Sequence, residues 1–228
     1  MLDRAETFRE AGRAQESLFA PVEKRLLVAM AHATPHWISS DHLTLLGFVA
    51  MFFAGLSYAL ARSNKYMLIV VILWLAVNWL GDSLDGTLAR VRNRQRPRYG
   101  FYVDHITDAF GTFFLVGGMA LSGYMSMLVA AGLLVVYFML SIQAYLAAYA
   151  LGTFQLSYWK FSPTELRLLL MAGNLALLYR PVASVFGHRF LLFDVGGVVG
   201  IAGMSLMLIV SSIRHTAALY RAERLPPL

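Results

Sequence analysis

The chain has 228 residues, of which 58% are hydrophobic and only 14% charged, with a formal net charge of +6. A soluble domain is about 45–50% apolar and about 25% charged, so these proportions argue against a soluble domain and for a polytopic membrane protein. With no cysteine, a disulfide framework, a thiolate metal site and a thiol nucleophile are all excluded.

The first 20 residues are polar and lack the short apolar core of a cleavable signal, so none is expected. An apolar run, Leu26 to Met30, follows beside Glu23, Lys24 and Arg25. It is too short to span and reads as an amphipathic helix in the cytoplasmic interface, its basic residues toward lipid headgroups. Thr34-Pro35 ends it, because the residue before proline is pushed out of the helical region.

Six apolar segments come next, at about 42–61, 66–89, 101–121, 125–151, 164–185 and 194–216. A spanning helix needs roughly 20 mostly apolar residues, so the expected fold is all-α, with six transmembrane helices after the interfacial one. The whole of 1–228 reads as one membrane domain: interfacial helix 1–34, bundle 42–216 and cytoplasmic tail 217–228. Ser122-Gly123-Tyr124 is a minimal turn, and 180–189 a loop. Gly196 and Gly200 form a small-xxx-small pair that suits close helix packing.

Basic residues set the expected topology. With the N-terminus inside, fifteen of the 19 Lys and Arg fall on the cytoplasmic side, including all five between Arg90 and Arg98. Only Arg62, Lys65, Arg180 and Arg189 fall on the other face. This is the positive-inside pattern, with both termini cytoplasmic, and it accounts for the net charge without a nucleic-acid partner.

Against that apolar background stand four carboxylates at the ends of the second and third segments. Asp82 and Asp85 are three apart, and Asp104 and Asp108 four apart, so each pair shares a helical face. A short antiparallel connection brings the pairs together. Four such groups in a low-dielectric site repel one another unless neutralised. Oxygen ligands without cysteine suit Mg²⁺, Mn²⁺ or Ca²⁺, and a pair of such ions suits phosphoryl chemistry. Pairing with the loop arginines alone explains less, since the acids recur on two facing helices. Gly86 leaves the backbone open to a ligand, Ala89 keeps that face narrow, and Arg90 offers a planar donor for phosphate.

These residues resemble the signature of the CDP-alcohol phosphotransferase (CDP-alcohol phosphatidyltransferase) family, D-x-x-D-G-x-x-A-R followed by G-x-x-x-D-x-x-x-D. Asp82, Asp85, Gly86, Ala89, Arg90, Gly100, Asp104 and Asp108 all match. The spacer Val91 to Tyr99 is slightly longer than usual, and the family's P-N-x-x-T reads Ser40-Asp41-His42-Leu43-Thr44 here. The resemblance implies two divalent cations, Mg²⁺ or Mn²⁺, held by Asp82, Asp85, Asp104 and Asp108. It further implies a CDP moiety bound around Gly86, Ala89, Arg90 and Gly100. An acceptor hydroxyl would then displace CMP, in an enzyme of phospholipid biosynthesis that is commonly a homodimer.

For the general base, the resemblance offers Asp108, while His105 is a second candidate. Asp104-His105 and Thr164-Glu165-Leu166 resemble the choline/ethanolamine phosphotransferase branch, with Glu165 orienting His105 at the cytoplasmic mouth. Lys160 and Arg167 are candidates to meet an anionic acceptor. The donor stays open between CDP-diacylglycerol and a CDP-linked small alcohol, and the acceptor between a polar alcohol and a lipid. The alternative is a divalent-cation transporter, which needs polar groups continuing to the far face; beyond the motif, spans two and three offer only Asn78 and Thr112.

Overall fold

A computed structural model describes residues 20–151 and 163–223. Among them are seven helices: α1 (Ala20–Ala33), α2 (Ser40–Ala61), α3 (Met67–Val91), α4 (Pro97–Ser122), α5 (Met127–Leu151), α6 (Pro163–Tyr179) and α7 (Leu192–Ala222). Four of them, α2, α3, α5 and α7, are long and apolar enough to cross a membrane. The other two expected spans differ for identifiable reasons. The first half of α4 carries Asp104, His105 and Asp108, and α6 has only 17 residues.

The segment expected to span 164–185 stops as a helix at Tyr179. Beyond it, Val182–Val185 (β1) and His188–Leu191 (β2) form an antiparallel hairpin in place of a loop. Phe186 and Gly187 both take positive φ, 50° and 81°, as a two-residue hairpin turn requires. The last helix is longer than expected and reaches Ala222, so the tail predicted to begin at 217 is still helical there. The other bundle-helix boundaries agree within a few residues, residues 1–19 of the expected interfacial helix lie outside the described residues, and Gly123 makes the α4–α5 turn with φ 78°.

Side-chain contacts order the helices in an up-and-down bundle. Thr44 near the start of α2 meets Asp85 near the end of α3, and Arg167 near the start of α6 meets Asp82. His105 near the start of α4 meets Tyr145 near the end of α5, and His215 late in α7 meets Gln143. At the opposite end the Ser126 N–H donates to Asp194 Oδ1 over 2.6 Å, joining the starts of α5 and α7. One end of the bundle therefore gathers the acidic residues, and Arg90 to Arg98 with them.

Glycine lets the first helices approach at backbone distance. A Cβ on Gly81 of α3 would fall 2.6 Å from the Leu43 carbonyl oxygen and 2.7 Å from the Gly47 nitrogen of α2. A Cβ on Gly118 of α4 would likewise run into the backbone of Gly55 in α2, and one on Gly55 into the Phe114 carbonyl. In α7 it is Gly197 that packs tightly on α5, through Val129, with Gly200 touching Leu133; a Cβ on Gly196 would meet nothing within 4 Å. The main core gathers around Ala54, Tyr58, Val71, Leu75, Leu115 and Phe193.

Helix α1 docks on this frame through Leu27 and Ala31, which pack with Leu43, Leu84 and Leu88. Lys24, Arg25 and Leu26 stay exposed. Glu23 Oε1 accepts from Trp79 Nε1 of α3 at 2.9 Å and from Thr164 Oγ1 of α6 at 3.0 Å, tying α1 to two bundle helices. Arg92 holds the α1–α2 connection by donating to the Thr34, Pro35 and Ile38 carbonyls at 2.8, 3.0 and 2.5 Å.

Candidate active site

The acidic residues line one cleft with Thr44, Gly47, Phe48, Met51, Asn78 and Thr107. Asp82 on α3 and Asp104 and Asp108 on α4 each place a carboxylate oxygen within 4.8 Å of the other two. The local cause is helical spacing: the four-residue step from Asp104 to Asp108 keeps both on one face. The α2–α3 glycine contacts and the α3–α4 turn set that face against Asp82. Asn93 in that turn has a φ of 54°, in the left-handed region that asparagine enters more readily than most residues.

Asp85 lines the same cleft but is held separately. Its Oδ2 accepts from Thr44 Oγ1 at 2.6 Å, and the Gly86 N–H donates to its Oδ1. Its carbonyl accepts from Ser40 Oγ at 3.1 Å. Each carboxylate oxygen has two lone pairs, so these bonds orient Asp85 without exhausting it.

The donor set fits a hard divalent cation. Oxygens on opposite sides of an ion with bonds of about 2.0–2.6 Å lie about 4–5 Å apart, and the three carboxylate oxygens fall within that span. All are carboxylates, the ligand type that Mg²⁺, Mn²⁺ and Ca²⁺ prefer.

Arg167, a candidate to meet an anionic acceptor, bonds to two residues that line this cleft. Its Nη2 donates to Asp82 Oδ2 at 2.7 Å and its Nε to Asn78 Oδ1 at 2.8 Å. Arg90 and Arg96 bond to other side chains. Arg90 donates to Thr87 Oγ1 at 3.1 Å, and Arg96 pairs with Asp41 and stacks over Tyr99 at 4.1 Å.

Gly86 looks onto open space: a Cβ there would meet only the Arg90 guanidinium, 3.6 Å away. Ala89 is half-buried beside it, and Gly100 is exposed, with nothing within 4 Å of a Cβ. Side chains at Gly86 and Gly100 would therefore clash little with the protein itself, so packing does not explain these glycines.

His105 is buried. Its Nδ1 lies 2.5 Å from the Phe101 carbonyl oxygen, and its ring sits 4.2 Å from that of Phe101 and edge-on to Tyr145 at 5.2 Å. Glu165 is half-buried in the first turn of α6. Lys160 lies outside the described residues.

Sequence reasoning assigned no role to Thr44, Ser40 or Asn78. Thr44 had a signal, since it occupies the threonine position of the P-N-x-x-T-like segment. Asn78 lies four residues before Asp82 and so on the same face. Ser40 carried none.

Among curated proteins, no sequence matches closely enough to count as a relative. The family model for CDP-alcohol phosphatidyltransferase matches residues 37–211, a stretch that holds every residue of the cleft and most of the chain. The chain belongs to the CDP-alcohol phosphatidyltransferase family.

Proposed function

We propose that this protein is a divalent-metal-dependent transferase of phospholipid biosynthesis. It moves a phosphatidyl or phospho-alcohol group from a CDP-linked donor, CDP-diacylglycerol or CDP-choline/ethanolamine in type, to an acceptor hydroxyl and releases CMP. The observation that carries this reading is the convergence of Asp82, Asp104 and Asp108 within 4.8 Å in a chain of this family. Asp85, oriented by Thr44, completes the proposed metal-binding set. Two divalent cations, when bound, would neutralise charge on the diphosphate and ease departure of CMP.

The residues of the chain supply position and proton transfer. The open surface at Gly86 and Ala89 receives the cytidine, and Arg90 and Gly100 border the diphosphate. The acceptor oxygen forms a bond to the phosphorus distal to cytidine as the bond to the CMP oxygen breaks. Asp108 takes the acceptor's proton, and His105 is the alternative base. A carbonyl oxygen only accepts hydrogen bonds, so the contact with Phe101 puts the hydrogen on His105 Nδ1 and leaves the lone pair on Nε2. Glu165 orients this ring in the second reading, and Lys160 and Arg167 border the acceptor.

The enzyme is further proposed to be a multi-pass homodimer with six spans. Its interfacial α1, both termini and the active site would lie on the cytoplasmic side. The transporter reading finds no support. Beyond the cleft the core is mostly apolar, with Ala54, Val71, Leu75 and Leu115, and its buried polar groups Tyr58 and Asn174 bond to each other.

The test is purified full-length protein in detergent with Mn²⁺, labelled CDP-diacylglycerol, CDP-choline or CDP-ethanolamine, and a panel of acceptor alcohols. We expect CMP release with one donor class and its loss on chelation. Failure with every donor, or activity surviving excess chelator, overturns the assignment. His105→Ala should abolish turnover while nucleotide binding persists if His105 is the base; near-normal turnover leaves Asp108 in that role.

A further inference from the structure

We propose that Arg167 is the resident counter-cation of the aspartate cluster, competing with the divalent cation for Asp82 and setting the metal concentration at which the site fills. This inference rests on reading Asp82, Asp104 and Asp108 as metal ligands.

Three features make Arg167 a built component and not a surface cation that happens to be nearby. Its side chain is 13% exposed and that of Asp82 26%, so the pair is sheltered from the screening that weakens surface ion pairs. Its guanidinium is held at two points, Nη2 on Asp82 Oδ2 at 2.7 Å and Nε on Asn78 Oδ1 at 2.8 Å. Asn78 is itself fixed: it is 5% exposed, and its Nδ2 donates to the Gly47 carbonyl at 3.0 Å, which turns Oδ1 toward Arg167. The arginine thus has a dedicated neutral acceptor beside the carboxylate it shares.

The same Asp82 carboxylate belongs to the three-acid group. A guanidinium and a divalent cation on one carboxylate are like charges a few ångströms apart, and a sheltered site screens them poorly. Arginine cannot lose its proton to relieve this. Relief comes only if the guanidinium withdraws from Asp82, so metal binding carries the cost of that ion pair. The Nε contact with Asn78 gives the side chain a second attachment during the exchange. Thr164, three residues earlier, bonds to Glu23 and keeps α6 in place.

The experiment is Mn²⁺ titration of purified full-length protein in detergent, without donor, following free Mn²⁺ by electron paramagnetic resonance. Wild type, Arg167→Gln, Arg167→Lys and Asp104→Asn are compared. Arg167→Gln should bind Mn²⁺ about tenfold more tightly, a typical coupling between two bound charges, while Arg167→Lys stays near wild type. Mn²⁺ should also raise the melting temperature of Arg167→Gln more than that of wild type. Unchanged or weaker binding by Arg167→Gln, with Asp104→Asn losing affinity, overturns the competition alone. No Mn²⁺ binding by any form overturns the metal reading and the competition with it.

Discussion

Thr44 shows how a single side chain prepares the cleft. Its hydroxyl donates to Asp85 at 2.6 Å across 41 residues of sequence. Removing that donor leaves a partly sheltered carboxylate short of a partner, a loss of about 1–3 kcal/mol. Thr44→Val should therefore lower kcat/KM by roughly ten- to a hundredfold, and Thr44→Ser, which keeps the hydroxyl, should retain most of it. Equal activity in the valine and serine variants would remove Thr44 from the site. The contrast with the aspartates explains what the sequence makes legible. Asp82, Asp85, Asp104 and Asp108 stand at helical spacings, so neighbours in space are also neighbours in sequence. Thr44 with Asp85, and Arg167 with Asp82 across 85 residues, are set only by how helices pack. No local pattern carries that information, and so Arg167 reads from sequence merely as a cation near an acceptor.

Between elements, backbone contact through glycine decides where the acids meet. At Gly81 an added Cβ would collide with backbone atoms of Leu43 and Gly47, which cannot swing aside as a side chain can. Gly81→Ala should force α2 and α3 apart and destabilise the protein by about 1–3 kcal/mol or more, the usual cost of overpacking. Gly196→Ala, with nothing within 4 Å, should melt like wild type. Thermal melting in detergent checks both, and a Gly81→Ala variant as stable as wild type would disprove the seam. The helices themselves were legible as apolar runs of the right length, and Gly123 as their break. The hairpin was not. Val182 to Val185 and His188 to Leu191 are too short to show an alternating pattern, and they adjoin an apolar helix that a hydropathy reading simply extends. Gly196 and Gly200 differ in the same way: spacing pairs them, but only packing tells that Gly200 touches α5 and Gly196 does not.

At the scale of the whole molecule, contacts at the two ends of the bundle give each helix its direction. Four helices qualify as membrane spans by length and apolarity alone. Yet α4 starts among the acids, while α5 starts beside Asp194 at the other end, so α4 must carry the chain from one end to the other. Its 26 residues, at about 1.5 Å each, make a helix of roughly 39 Å, enough to cross the roughly 30 Å hydrocarbon core. At its site end Asp104, Thr107 and Asp108 line the cleft. Likewise α6 leads from Arg167 beside Asp82 to the hairpin, whose Phe186 is fully exposed. This connectivity supports the six crossings proposed, and the positive-inside pattern supports an arginine-rich end that faces inside. The absence of cysteine allows a direct check. Single cysteines at Ser63 and Phe186 should react with a membrane-impermeant maleimide added to intact cells, while Arg94→Cys and Glu223→Cys should react only after permeabilisation. Labelling of Arg94→Cys and Phe186→Cys from the same side would rule out the six-span arrangement. Labelling of Arg94→Cys alone from outside would invert it, placing the aspartate cleft away from the cytoplasm.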